Sequence, residues 1–234
     1  MKYLGTSGWY YQHWVKRFYP KDLSKDKWLE YYARHFNTVE INSTFYHLPY
    51  KNVLKNWYNQ TPEKFRFTLK ANRQITHVKK FKNVKKSVKT FYMLSDIMQE
   101  KLANILWQIP PTLKFNMKKL NEIIKVLNPD YKNVIEFRHK SWFTLEVYEN
   151  LKENDIIYCI VSGPNLPLDF KLTAKTGYFR LHGRSWYNYN YGKKELTEFA
   201  GKIKKLKAKD FYIYFNNDYN AYAIKNCEML KGLI

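Results

Sequence analysis

Along the chain, short runs in which apolar and polar residues alternate give way to longer stretches with helical spacing, and the exchange repeats from end to end. A period of two marks a strand with unlike faces, while recurrence at i, i+3 and i+4 marks a helix. Strands are predicted at Lys2–Thr6, Thr38–Ile41, Phe65–Lys70, Leu102–Ile109, Asn133–Arg138, Ile156–Val161, Tyr178–His182 and Phe211–Phe215. Helices are predicted around Lys25–His35, Asn52–Asn59, a Lys-rich stretch ending near Gln99, Met117–Leu127, Leu145–Asn154, Lys194–Leu206 and Tyr219–Leu230. Pro110 and Pro111 stop the fourth strand, because proline cannot donate to a ladder. Eight strands alternating with helices, without a low-complexity linker, predict one α/β domain over residues 1–234, a (β/α)8 TIM barrel. The sixth βα unit is expected to be irregular: Gly163, Pro164 and Pro167 precede Gly177 with no helical pattern between them. A doubly wound open sheet is the alternative, but no glycine-rich phosphate turn opens a helix.

The strand ends depart from the usual pattern. A parallel strand buried on both faces is apolar throughout. Here Glu40 and Asn42 alternate with Val39 and Ile41, Glu136 and Arg138 flank Phe137, and Arg180 and His182 flank Leu181. The polar parity collects Thr6, Glu40, Asn42, Thr68, Lys70, Gln108, Glu136, Arg138, Ser162, Arg180, His182 and Asn216. The opposite parity is apolar: Ile41, Leu69, Trp107, Ile109, Phe137, Leu181 and Phe215. In a barrel the polar set is predicted to ring the C-terminal mouth, where such folds carry their chemistry.

Glu40 and Glu136 are candidates for general acid and base, with His182 as the proton-transfer group nearest neutral pH. The same carboxylates could instead be ion-pair partners of Lys70, Arg138 or Arg180. Thr6, Trp9, Asn42, Lys70, Gln108, Arg138, Arg180, Trp186 and Asn216 are candidate ligand-binding residues. The arginines match phosphate or carboxylate bidentately, and Gly183 lets a ligand or loop approach the backbone. Aromatic residues crowd the same end, from Trp9, Tyr10 and Tyr11 through Phe45, Tyr46 and Trp142 to Trp186, Tyr187, Tyr189 and Tyr191. Trp9, Phe45 and Trp142 are expected to pack on one another as loops do. The run Trp186–Lys194 is too polar for a core and is expected to contact a ligand. No cofactor and no metal site is predicted. Glu40, Glu136, His182 and Asp218 are too few for a zinc cluster, which leaves room for one weakly held divalent ion at most.

The formal charge of +21 and pI of about 9.7 favour polyanionic partners. The run His77–Lys89 is the densest positive patch, and Lys79, Lys80, Lys85 and Lys86 are candidate nucleic-acid contacts; a solvated helix face is the plainer alternative. Enrichment in Lys, Asn, Ile and Tyr also follows from AT-rich coding, so charge alone does not decide. No apolar run of about 18 residues predicts a membrane span, and the N-terminus lacks a signal-peptide core. Cys159 and Cys227 belong to no ligand spacing and are expected to be reduced packing residues, in keeping with a cytoplasmic location.

Seven motifs occur in order: Gly5–Trp14, Phe36–Pro49, Thr61–His77, Trp107–Pro111 (WQIPP), Glu136–Trp142 (EFRHKSW), Tyr178–Tyr187 (YFRLHGRSWY) and Tyr214–Cys227. Together they resemble the YecE-like proteins, the family called domain of unknown function 72. The resemblance implies a TIM barrel and brings no established reaction; a looser likeness to the endonuclease IV and sugar-isomerase barrels is one of fold alone. The sequence thus points to a mouth that takes an anionic, phosphate-bearing ligand. The protein would be a hydrolase or isomerase acting on a phosphodiester or sugar phosphate, or else a non-catalytic nucleic-acid-binding protein. Whether it is an enzyme, and its oligomeric state, are left open.

Overall fold

A computed structural model describes residues 1–234. Eight parallel strands run in the order β1-β8-β7-β6-β5-β4-β3-β2: β1 (Lys2–Thr6), β2 (Thr38–Ile41), β3 (Arg66–Lys70), β4 (Leu102–Ile109), β5 (Asn133–Phe137), β6 (Ile157–Ser162), β7 (Thr176–Leu181) and β8 (Asp210–Phe215). The helices are α1 (Trp28–His35), the single turn α2 (Ser43–Tyr46), α3 (Lys51–Asn59), α4 (Lys85–Ser95), α5 (Met117–Val126), α6 (Leu145–Glu153), α7 (Lys193–Lys205) and α8 (Tyr222–Lys231). This is the predicted (β/α)8 barrel. No helix joins β6 to β7, as expected; Phe170 packs there on Phe179 and Phe199, and the Thr173 hydroxyl holds the loop to the Ile156 carbonyl at 2.6 Å.

The barrel closes between β1 and β2 through side chains rather than a full ladder. Only Ser7 and Glu40 form a backbone bridge there. The Tyr32 hydroxyl of α1 sits in the seam, accepting from the Thr6 amide at 2.9 Å and donating to the Thr38 carbonyl at 3.1 Å. Asn37 accepts from the Leu4 amide and donates to the Lys2 carbonyl. The strands approach so closely that a Cβ at Gly5 would lie 2.1 Å from the Thr38 carbonyl oxygen, so only glycine fits.

Two apolar layers follow from the alternation. A cluster of 52 buried residues, including Ile41, Leu69, Trp107, Phe137, Leu181 and Phe215, fills the space between strands and helices. A separate cluster of eight, among them Leu106, Val134, Cys159, Tyr178 and Tyr214, fills the lower barrel interior. Across that interior the Tyr214 hydroxyl meets Thr38 Oγ1 at 2.7 Å and Thr68 Oγ1 at 2.9 Å, making a polar floor beneath the mouth. Both cysteines are buried and free.

The parity assignment needs correction on two strands. On β1 it is Ser7, not Thr6, that faces the interior; Thr6 turns outward to Tyr32 of α1. On β6, Tyr158 and Ile160 belong to the outer layer, and Ser162 turns the same way to bond the Tyr191 hydroxyl at 3.0 Å.

Candidate functional site at the barrel mouth

β2, β5 and β7 each carry a charged residue next to last, Glu40, Glu136 and Arg180, aimed at the barrel axis, and these charges meet. Arg180 of β7, 1% exposed, donates from Nη2 to Glu40 Oε1 at 2.7 Å and from Nη1 to Glu136 Oε2 at 2.7 Å. Its Nε lies 3.0–3.1 Å from both oxygens of Glu40. One planar guanidinium therefore spans two fully buried carboxylates from different strands, a geometry its fork favours. Glu40 also accepts from Ser7 Oγ at 2.7 Å and from the Tyr178 hydroxyl at 2.5 Å, so both of its oxygens are occupied.

Glu136 Oε1 accepts from Arg138 Nη2 at 2.8 Å. Burial pushes its carboxyl up, but Arg138 and Arg180 outweigh that and hold it well below the ordinary carboxylate range. The same Nη2 lies 2.8 Å from His182 Nε2, while Nε2 is 3.3 Å from Glu136 Oε1. One donor shared by two acceptors fits the network best, so His182 is assigned as neutral, with its hydrogen on Nδ1. Burial and then the Arg138 charge push its pKa well down, in agreement. His182 Nδ1 and Arg138 Nε are both buried without a partner.

Above this network lies a cavity of about 520 Å³. Lys70, Arg73, Arg138 and Arg180 line it, with His77, His182, Gln108, Asn42 and Asn216. No carboxylate does, because Glu40 and Glu136 are covered by their arginines. The Lys70 ammonium sits 4.2 Å from the centre of the Phe45 ring. Burial, then the Arg180 charge, lower its pKa to about 7. Burial and the Lys70 charge take His77 to about 4.

The structure thus brings Asn42, Lys70, Gln108, Arg138, Arg180, His182 and Asn216 to one hollow, with Glu40 and Glu136 directly beneath. Thr6 and Trp9 lie elsewhere: Thr6 belongs to the seam, and Trp9 is buried edge-on against Trp57. Trp142 is likewise core, stacked on Phe137. Trp186 stands beside the cavity, under the Arg138 guanidinium at 5.2 Å and against the His182 ring. The 186–191 run is partly core after all, since Tyr191 is buried and its hydroxyl accepts from the Gly183 amide at 2.7 Å. Gly183 (φ +85°) admits Tyr189 of this loop, whose Cβ would lie 2.3 Å from a side chain there. Only Tyr187 of this run reaches the hollow, which Arg73 and His77 also line. Both follow β3 in the motif TLKANRQITH, and counting strand parity alone passes over them.

Lys79 and Lys86 line a neighbouring cleft of about 740 Å³ with Tyr46, Leu48 and Tyr50. Tyr46 lines both spaces, so cleft and mouth adjoin. Lys80 and Lys85 lie outside the cleft; the Lys80 carbonyl accepts from Lys119 Nζ. No group of three His, Cys, Asp or Glu side chains is arranged to hold a metal ion.

Fold and site together define a TIM barrel with a cation-lined mouth riveted by a buried arginine. The chain belongs to the family described as "Protein of unknown function DUF72", whose sequence model matches residues 3–234. It is 26% identical over 272 aligned residues to the UPF0759 protein YunF of Bacillus subtilis (strain 168), covering 100% of this chain and 95% of that protein. It is 29% identical over 144 residues to the UPF0759 protein YecE of Escherichia coli (strain K12), covering 61% of this chain and 50% of that protein. The crystal structure of a DUF72 family protein from Thermotoga maritima MSB8 superposes with a TM-score of 0.91 at 30% identity, covering 100% of this chain and 98% of that one. A DUF72 family structure from Enterococcus faecalis V583, at 22% identity, shares the fold with a TM-score of 0.88 over 100% of this chain and 95% of that one.

Proposed function

We propose that the barrel mouth binds an anionic, phosphate-bearing ligand and acts on it as a hydrolase or isomerase of phosphodiesters or sugar phosphates. The observation that carries this proposal is a 520 Å³ cavity lined by four lysine and arginine side chains and no carboxylate. A cavity so lined is a poor host for a neutral or cationic ligand. Arg73 and Arg138 hold the phosphate, and Arg138 Nε gains the acceptor it lacks. His182 exchanges the proton, and Glu136 orients it through the shared Arg138 nitrogen. Glu40 enters as the anchor of Arg180 rather than as a proton carrier.

Calorimetric titration with inorganic phosphate and with sugar phosphates at low ionic strength tests the binding. Arg138→Met and Arg73→Ala should each weaken it about tenfold or more, the worth of one charge-assisted hydrogen bond or slightly above. A turnover screen on phosphodiesters and sugar phosphates, with His182→Ala and Glu136→Gln beside wild type, tests the chemistry. Product formation unchanged by both substitutions rejects these roles.

A second function, nucleic-acid binding without catalysis, is favoured by one observation. Tyr10, Tyr46, Tyr50, Tyr187 and Tyr219 are all exposed on the loops that follow strands β1, β2, β7 and β8, and Lys79 and Lys86 line the adjoining cleft. Exposed rings beside cations stack bases and track phosphates. Negligible affinity for single-stranded DNA or RNA at low salt ends it.

A further inference from the structure

Two lysines of this barrel are nearly inaccessible, and they are treated differently. Lys101 Nζ donates to the carbonyls of Tyr58 and Thr61, each at 2.6 Å, and to Thr61 Oγ1. It is a satisfied structural cation. Lys70 Nζ has no hydrogen bond and no ion pair, though Glu40 and Glu136 lie close by, because Arg180 and Arg138 already occupy both. Its ammonium lies over the face of Phe45, 4.2 Å from the ring centre. Its backbone is fixed, since the Lys70 carbonyl accepts from Thr44 Oγ1 at 2.7 Å. A buried nitrogen held among arginines, denied every carboxylate and opening on a cavity is placed as a nucleophile is placed, not as a salt-bridge partner.

We propose that Lys70 is an imine-forming lysine, its amine condensing with the carbonyl carbon of a phosphate-bearing aldehyde or ketone held in the barrel mouth. This rests on the anion-binding function above, which supplies the phosphate contacts through Arg73 and Arg138. The amine nitrogen attacks the carbonyl carbon and the carbonyl π bond opens, giving a carbinolamine. The carbon–oxygen bond then breaks, the carbon–nitrogen double bond forms, and the oxygen leaves as water carrying both amine hydrogens. No oxidant, reductant or net proton is needed. With a pKa near 7, about half of Lys70 is free amine at neutral pH. An ordinary lysine is so in roughly one molecule of 2,500.

Pyridoxal 5′-phosphate, a phosphate-bearing aldehyde, is the probe. The full chain is treated with it at pH 7, reduced with borohydride and mapped by peptide mass spectrometry. The expected result is labelling of Lys70 about tenfold or more faster than of exposed lysines such as Lys79 and Lys86, suppressed by excess inorganic phosphate. Lys70→Arg, which keeps the charge, should lose that label while retaining its circular dichroism spectrum. Label spread over exposed lysines with Lys70 unmodified overturns the imine, and phosphate titrating into the same protein would then leave the anion site standing. Equal labelling of Lys70 by unphosphorylated pyridoxal, indifferent to phosphate, sustains the imine and overturns the anion site.

Discussion

Arg180 is the residue on which the interior depends. Truncating it strands two buried carboxylates, and breaking a buried pair in this way costs about 3–5 kcal/mol. Arg180→Met should therefore lower the urea midpoint by that equivalent, whereas Arg184→Met, at an exposed ion pair with Glu195, should leave it nearly unchanged. The titrating groups give a second expectation. His182 stays neutral in the fold, while an unfolded imidazole protonates below about pH 6.5. The unfolded state then binds more protons, so stability falls as pH drops below about 6.5. Glu136, held ionised, adds a further loss below about pH 4.3, the ordinary glutamate value. Urea unfolding from pH 7.5 to 5 should show the first loss, and His182→Gln should flatten it in part, since His77 and Lys70 also lose stability as pH falls while Asp218, whose carboxyl burial pushes up to about 6, opposes them. An unchanged slope in that variant would mean that His182 is already charged in the folded protein.

The β1–β2 seam is the element to test. Tyr32→Phe leaves the Thr6 amide and the Thr38 carbonyl buried without partners, which should cost about 2 kcal/mol or more in chemical denaturation. Gly5→Ala drives a methyl into the Thr38 carbonyl and should be at least as damaging. This is also where the sequence was hardest to read. On β2, β5 and β7 a charge beside an apolar residue announces which face is which, and Glu40, Glu136, Arg180 and His182 could be placed together from spacing alone. On β1, Leu4 and Thr6 share a parity and Gly5 has no side chain, so nothing local shows that Thr6 serves α1. On β6 the run Ile156–Val161 carries no alternation, and Ser162 could be assigned only by its polarity. Trp9 as a ligand contact, and Tyr191 as part of a ligand-contacting loop, fail for a related reason. A loop's polarity does not reveal that one of its rings finds a slot in the core, as each does here.

At the scale of the whole molecule, +21 charges on 234 residues repel one another. Raising sodium chloride from 50 to 500 mM should therefore raise the melting temperature, an effect read by calorimetry. If single-stranded nucleic acid binds at the cleft, replacing both Lys79 and Lys86 by Ala should lower the log–log salt slope of affinity by about 1.4, two phosphate contacts' worth. Replacing Lys204 and Lys205, in the last turn of α7 and outside that cleft, should leave the slope nearer its original value. The guanidinium that joins β2, β5 and β7 has one more effect. It works like a keystone: three staves are locked at the rim before any visitor arrives, so the hollow keeps its outline whether empty or full. Discrimination among ligands then falls largely to the loops around that rigid collar, and relatives with different tastes should differ in their loops while sharing the stone.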